Sequence, residues 1–387
     1  MTHDRIPYST QTITDEDITA VVAVLRSDFL TQGPAVVRFE EDLARLHQTG
    51  HAVAMCNATA ALHIACMALG LGPGDGLWTS PNSFVASANC ARYCGAAVDF
   101  VDIDPATRNL SPAALADKLA AAKRDGTLPR IVVPVDFGGL PADMAELRAL
   151  ADEYGFAIIE DASHAVGAQY QDRPVGQLAD VTVLSFHPVK IVTTGEGGVA
   201  MTADAELAGR MRLLRSHGVT RKADLIERQD EGGWYYEQVA LGYNYRMTDM
   251  QAALGSSQLT RLGELWAARE ALARRYDEQL ADLPLLLPAR LGDRRSAHHL
   301  YPVEIDPARS NVSRRTLYDA LQADGIAANV HYIPIHLQPD YRRLGFAPGM
   351  FPHAEAYYER VVTIPLYPKL THAQQDRVIA SLARALG

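Results

Sequence analysis

Lysine is nearly missing from this chain: five of the 36 basic residues are lysines, in 387 residues. Amine chemistry is thereby confined to very few places, because arginine stays protonated at any accessible pH. Long apolar runs are missing too. None approaches the roughly 20 residues that cross a bilayer, and residues 1–5 carry no leader pattern, so a cytoplasmic protein with no membrane partner is expected. Positive charge is in deficit. The net charge of −10 argues against nonspecific binding to nucleic acid or an anionic membrane, although a local cluster of donors suffices for a phosphorylated substrate. Cysteine is scarce, and all four residues (Cys56, Cys66, Cys90, Cys94) fall in the first hundred. Cys90 and Cys94 stand one helical turn apart, yet no second ligand pair follows. No metal site is therefore expected, and reduced thiols are the simpler reading. Repeats and low-complexity tracts are absent.

What is present is a globular composition, 48% hydrophobic and 21% charged, in a chain long enough for one large domain and a smaller one. Short apolar runs at 53–55, 77–80, 97–101, 131–135, 156–160, 181–186 and 198–202 alternate with helical patterns at 60–69, 84–94, 113–122, 143–154 and 206–216. The alternation predicts an α/β domain with a mostly parallel seven-stranded sheet covered on both faces. Residues 216–246 are irregular and aromatic, like a contact or lid segment. A long helical pattern follows at 248–280, and the division between a large domain (1–255) and a small C-terminal α+β domain (256–387) is placed within it. The smaller part reads as a strand at 300–305, a helix at 313–324, a strand at 327–332, a loop rich in proline and histidine, and a helix at 373–386.

Four lysines (Lys118, Lys123, Lys222, Lys369) lie in polar helix-like or turn-like surroundings. The fifth ends Ser185-Phe186-His187-Pro188-Val189-Lys190, after a strand-like run and before Thr193-Thr194-Gly195-Glu196-Gly197-Gly198. An amine placed there can be partly desolvated, which lowers its pKa and makes it nucleophilic toward a carbonyl. The plainer alternative is a salt-bridging loop lysine.

The neighbouring strand ends decide between them. In α/β sheets ligands sit beyond the carboxyl ends of the strands. Asn57-Ala58-Thr59-Ala60 falls between a strand and a helix, where free backbone N–H groups and the Thr59 hydroxyl suit a phosphate, or merely cap the helix. Asp161 follows a buried strand and can pair with a protonated ring nitrogen or cap the next element. His164, three residues on, is placed to orient Asp161 by a hydrogen bond. Ser185 offers a second hydroxyl for a phosphate. Phe84, after Ser80-Pro81-Asn82-Ser83, can stack on a flat cofactor or belong to the core. Together these match the needs of pyridoxal 5′-phosphate, with Lys190 bonding its aldehyde and Asp161 keeping the ring nitrogen protonated as an electron sink.

Further motifs appear in order: Leu30-Thr31-Gln32-Gly33-Pro34, Ala58-Thr59-Ala60-Ala61-Leu62, Glu160-Asp161-Ala162-Ser163-His164-Ala165, Glu196-Gly197-Gly198 and Gly242-Tyr243-Asn244-Tyr245-Arg246-Met247. With Ser185–Lys190 they make the chain, from about residue 6 onward, resemble the DegT-like fold-type I aminotransferases that act on nucleotide-linked keto sugars. The wording of 185–190, 193–198 and Asn329-Val330-His331-Tyr332-Ile333-Pro334-Ile335-His336 is most similar to members on the pseudaminic acid pathway. Those members aminate C4 of a UDP-linked 4-keto-6-deoxy-N-acetylhexosamine. The resemblance implies L-glutamate as amino donor, a nucleotide-sugar acceptor, and a homodimer with shared active sites. It also implies roles: Lys190 as the covalent and acid–base lysine, Asp161 at the ring nitrogen, Ala58, Thr59 and Ser185 at the phosphate, Phe84 on the ring, and His164 at the O3′ side. Asn244 reaches the phosphate in the neighbouring subunit. Arg215, His217, His331 and Tyr332 are weaker candidates for the polar groups of the substrate. One departure is Cys56-Asn57-Ala58-Thr59, where many relatives carry Asn-Ser-Gly-Thr or Asn-Ser-Ala-Thr; the threonine survives. The presence of Lys190 argues against the relatives that replace it with histidine to dehydrate or deoxygenate sugars. The rival readings are a 4-amino sugar synthase of the aminoarabinose or perosamine type, a cofactor-binding regulator without turnover, and a structural protein that kept only the scaffold.

Overall fold

The computed structural model describes residues 5–228 and 230–387; residues 1–4, part of the stretch read above for a leader, lie outside them. Seven strands form the central sheet: β1 (His51–Met55), β2 (Gly76–Thr79), β3 (Ala97–Phe100), β4 (Ile131–Val133), β5 (Ala157–Asp161), β6 (Val181–Ser185) and β7 (Gly198–Thr202). Their order is β1-β7-β6-β5-β4-β2-β3, and β7 alone runs against the others. All seven expected strands are found. β6 and β7 are buried at all five positions each, which is why their sequences read as continuous apolar runs rather than alternating ones.

Register brings the chemistry to one end. Met55 of β1 and Ser185 of β6 both pair with Gly198 of β7, and Asp161 of β5 pairs with Val183 of β6. The carboxyl ends of β1, β5 and β6 thus lie side by side. Helices α1 (Asp15–Leu25), α2 (Pro34–Leu46), α3 (Ala58–Ala68), α4 (Ala86–Tyr93), α5 (Pro112–Asp125), α6 (Met144–Tyr154) and α7 (Ala205–Leu214) accompany this part of the chain. The reading from sequence passed over α1 and α2. A side-chain signal was present: the Asp17 carboxylate accepts the Thr14 N–H at 3.0 Å, as helix-start pairs do.

The single helix expected over 248–280 is two, α8 (Asp249–Leu259) and α9 (Leu262–Leu280). The break has a tertiary cause. Asp17, fully buried, gathers Ser257, Gln258 and Arg261 on its carboxylate at 2.7–2.8 Å, and the chain turns at Thr260–Arg261 to deliver the guanidinium. The first half of α9 packs Leu262 and Leu265 into the sheet core. Its second half packs Leu272, Tyr276 and Leu280 into a separate core.

That second core holds β8 (Tyr301–Ile305), α10 (Arg314–Ala323), β9 (Val361–Ile364) and α11 (His372–Leu386). Ile6 joins it from the other end of the chain; its N–H reaches the Gly325 carbonyl at 2.9 Å. The strand expected at 327–332 does not form. Asn329 makes one bridge to Thr363, and beyond it the His331 ring stays on Thr363 of β9 while the Tyr332 hydroxyl turns to His164, past the end of β5. All four cysteines are free thiols.

Candidate active site

A cavity of about 620 Å³ opens where the strand ends meet the second core. Residues of both parts border it, including Thr59, Asp161, Ser185 and Lys190 from the first and His299, His331 and Tyr332 from the second. Among the described residues around it, Lys190 is the only lysine or arginine.

Lys190 stands on a loop that folds back on itself. Its N–H donates to the His187 carbonyl at 2.9 Å, and the Thr193 hydroxyl and Thr194 N–H both return to the Phe186 carbonyl. Ser9 ties the loop from outside by donating to the Val189 carbonyl at 3.1 Å. The backbone is therefore held while the amine is not: no described residue gives it a hydrogen bond or an ion pair. Burial pulls its pKa from the ordinary 10.5 to about 8, partly offset by the Asp161 carboxylate.

Asp161 is 4% exposed at the end of β5. Its Oδ2 accepts the Ser87 hydroxyl at 2.6 Å and its Oδ1 accepts the Ser163 N–H at 3.2 Å. The expected hydrogen bond from His164 to Asp161 is not there. His164 Nδ1 instead accepts the Gly138 N–H at 3.3 Å, which leaves the ring hydrogen on Nε2, 3.2 Å from the Tyr332 hydroxyl. The imidazole therefore donates to Tyr332 and frees the tyrosine hydrogen for another partner. Burial pushes His164 well below its ordinary range, and Lys190 adds to the effect. The Gly138-Gly139 turn allows this approach: at Gly139, φ is +98°, and a Cβ would fall 2.9 Å from the His164 carbonyl oxygen.

At the end of β1, Asn57 caps α3 by accepting the Ala60 N–H at 2.8 Å. The N–H groups of Ala58 and Thr59 come before Ala61, whose N–H is the first to find an intrahelical carbonyl, so they are open to an anion beside the Thr59 and Ser185 hydroxyls. Gly198 makes the close seating of this helix start possible, since a Cβ there would lie 2.4 Å from the Ala58 nitrogen. The result is a cradle of neutral donors and a helix N-terminus, suited to a phosphate, set near an unpaired amine and a carboxylate. These residues fit pyridoxal phosphate. Phe84 borders the same cavity with 60% of its surface uncovered.

Two expected residues, Arg215 and His217, are not brought here, and Asn244, expected at the neighbouring subunit's site, lies on the same outer stretch as His217. The Arg215 guanidinium is taken by Glu40 and by the Ala54 carbonyl at 2.6 Å, and Glu40 also accepts the Ala54 N–H. His217 and Asn244 lie exposed on neighbouring backbone segments joined by a bridge from Ser216 to Asn244. His331 does reach the cavity. Its Nδ1 pairs with the Thr363 hydroxyl at 2.9 Å, and burial with the Lys190 charge lowers its pKa to about 3.

Sequence reasoning missed Tyr8, Ser83, Ser87 and His299, which all border the cavity. The His299 ring packs 4.5 Å from that of His164, and burial holds it well below its ordinary range. A signal for the serines existed: Ser83 and Ser87 repeat at helical spacing directly after the Ser-Pro-Asn turn.

The model of the DegT/DnrJ/EryC1/StrS aminotransferase family matches residues 11–383. A spore coat polysaccharide biosynthesis protein, SpsC of Bacillus subtilis (strain 168), is 40% identical over 97% of this chain and 96% of its own. Among solved structures, Helicobacter pylori PseC, an aminotransferase involved in biosynthesis of pseudoaminic acid, superposes with a TM-score of 0.89 at 30% identity, covering 99% of both chains. The putative sugar aminotransferase Spr1654 of Streptococcus pneumoniae, in its PMP form, gives a TM-score of 0.89 at 31% identity over 98% of both. The chain belongs to the DegT/DnrJ/EryC1/StrS family and is a sugar aminotransferase that uses pyridoxal phosphate.

Proposed function

We propose that the protein moves an amino group from L-glutamate to C4 of a UDP-linked 4-keto-6-deoxy-N-acetylhexosamine, a step of pseudaminic acid biosynthesis. The observation that carries the chemistry is the unpaired Lys190 amine, at about 8, in one cavity with Asp161 and the α3 N-terminus. The observation that favours the sugar is the likeness to PseC across 99% of both chains, beside the resemblance to pseudaminic acid pathway members carried by 185–190, 193–198 and 329–336.

Bound pyridoxal phosphate supplies an electron sink that makes a C–H bond beside the transferred nitrogen acidic. Lys190 Nζ removes the proton from the glutamate Cα and later delivers one to the sugar C4. A pKa of about 8 leaves the amine neutral part of the time, as both tasks require. Asp161 holds a proton on the ring nitrogen. Thr59, Ser185 and the Ala58 N–H bind the phosphate, Phe84 covers the ring, and His164 orients its O3′ side through the hydrogen it shares with Tyr332. His331 and Tyr332 contact polar groups of the sugar. Arg215 is not carried into this reading, because Glu40 occupies it. Two copies pair in the cytoplasm so that Asn244, exposed on its loop, completes the phosphate cradle of the other.

A second reading has an observation of its own: the 40% identity to a spore coat polysaccharide protein exceeds the 30% to PseC. It makes the enzyme an aminotransferase for a different nucleotide-linked 4-keto sugar, of the aminoarabinose or perosamine type. Incubation with glutamate and a panel of UDP- and GDP-linked 4-keto sugars separates the two. The first reading expects 2-oxoglutarate and a 4-amino product from the UDP-N-acetyl sugar, assigned by NMR. Turnover of a GDP sugar alone overturns it. Asp161→Asn, in the same assay, should cut the rate by orders of magnitude.

A further inference from the structure

We propose that Ser87 is a positioning residue for Asp161, with Ser83 behind it, in a one-way hydrogen-bond chain that fixes the carboxylate at the cavity wall. The inference rests on the reading that Asp161 holds the proton on the ring nitrogen. Ser87 Oγ donates to Asp161 Oδ2 at 2.6 Å, and the Ser83 and Ser87 hydroxyls lie 2.7 Å apart. A hydroxyl has one hydrogen to give. Ser87 spends its hydrogen on the carboxylate, so Ser83 is the donor to Ser87, and the chain runs from Ser83 to Asp161.

The alternative of a serine serving its own helix does not hold. Ser87 Oγ makes no bond within α4; its acceptor is 74 residues away. Ser83, Ser87 and Asp161 are 4%, 1% and 4% exposed, and all three border the cavity. With the Ser163 N–H on Oδ1, each oxygen of Asp161 has a protein donor, which fixes the plane of the carboxylate. Two further carboxyls, Asp136 and Glu160, lie at the same strand ends. Burial pushes Asp136 well above its ordinary range and Glu160 to about 7, so both are held toward the neutral acid. Neither of these two borders the cavity, whereas Asp161 does, with a donor on each of its oxygens. The serine chain thus holds the one carboxyl of the three that faces the cavity.

The test reconstitutes the full-length protein with pyridoxal phosphate labelled with ¹⁵N in the ring and reads the nitrogen shift by NMR, alongside cofactor affinity and kcat. Wild type should show a protonated ring nitrogen. Ser87→Ala should move the shift toward the unprotonated value and lower kcat about tenfold or more, as loss of a hydrogen bond to a charged group does. Ser87→Thr, which keeps the donor, should return both to within about threefold of wild type, and Ser83→Ala should move the shift the same way by less. A wild-type shift and rate in Ser87→Ala overturns the proposal, as does equal damage from Ser87→Thr, which points to packing alone. If Ser87→Ala does not fold, Ser87→Cys, a weak donor of similar size, takes its place under the same two criteria. An unprotonated ring nitrogen in wild type overturns the Asp161 reading itself, and this proposal with it.

Discussion

Tyr332 and His164, 168 residues apart, meet through a 3.2 Å contact between the tyrosine hydroxyl and Nε2 of the imidazole. The contact ties the loop of the second core to the sheet, and its polarity is set from behind by the Gly138 N–H on Nδ1. Tyr332→Phe leaves the buried Nε2–H without an acceptor, a loss of about 1–3 kcal/mol. We expect the Lys190 adduct to form normally, while kcat/KM for the keto sugar falls about tenfold or more. Absorbance of the bound cofactor and steady-state kinetics read the two effects separately. An unchanged kcat/KM assigns the tyrosine to packing only.

Replacing Lys190 abolishes turnover and also leaves a thermodynamic trace in the protein without cofactor. The amine titrates at about 8 when folded and at its ordinary 10.5 when unfolded. Between these values the unfolded chain binds more protons, so the stability of wild type rises with pH through that window. Lys190→Met lacks this contribution. The melting temperature of wild type should therefore trail that of Lys190→Met at pH 7 and gain on it as the pH approaches 10.5. A constant difference across that range contradicts a desolvated amine.

Arg215 looked from sequence like a substrate contact, and the structure gives it to Glu40, 9% exposed. Breaking a largely buried pair from one side leaves an uncompensated charge and costs about 3 kcal/mol. Arg215→Met should lower the denaturation midpoint accordingly, while KM for the nucleotide sugar stays within about threefold of wild type. A large rise in KM with unchanged stability restores the substrate role.

The parts of the fold that were legible are those fixed by local pattern. Strands β5 and β6 are buried throughout or nearly so, and their sequences say so directly. Lys190 was legible because lysine is rare here, and Asp161 because it ends a buried strand. What escaped depends on partners far along the chain. The bend after α8 is set by Asp17, more than 240 residues from Arg261 in sequence. Ser87 gains its meaning only from Asp161, and His164 was assigned the wrong partner because Gly138 and Tyr332 cannot be seen from its neighbours. Arg215 was misread for the same reason, its acceptor being 175 residues away. Periodicity reports burial, whereas hydrogen-bond partners at a site are a property of the assembled ends.

Gly198 offers a test of the phosphate cradle that leaves every proposed contact residue in place. It pairs with Met55 on one side and Ser185 on the other, beneath the first residue of α3. A Cβ there would lie 2.4 Å from both the Ala58 nitrogen and the Asn57 carbonyl carbon. Backbone cannot yield as a flexible side chain can, so Gly198→Ala must displace the helix start or spread the strands. Either movement takes the Ala58 and Thr59 N–H groups away from the Ser185 hydroxyl. Affinity for pyridoxal phosphate, measured by fluorescence titration, should fall at least about tenfold, the value of one charge-assisted hydrogen bond. Gly209, on α7 with open space around it, is the matched control. Gly209→Ala should bind the cofactor as wild type does, and equal weakening in both variants would remove the helix start from the site.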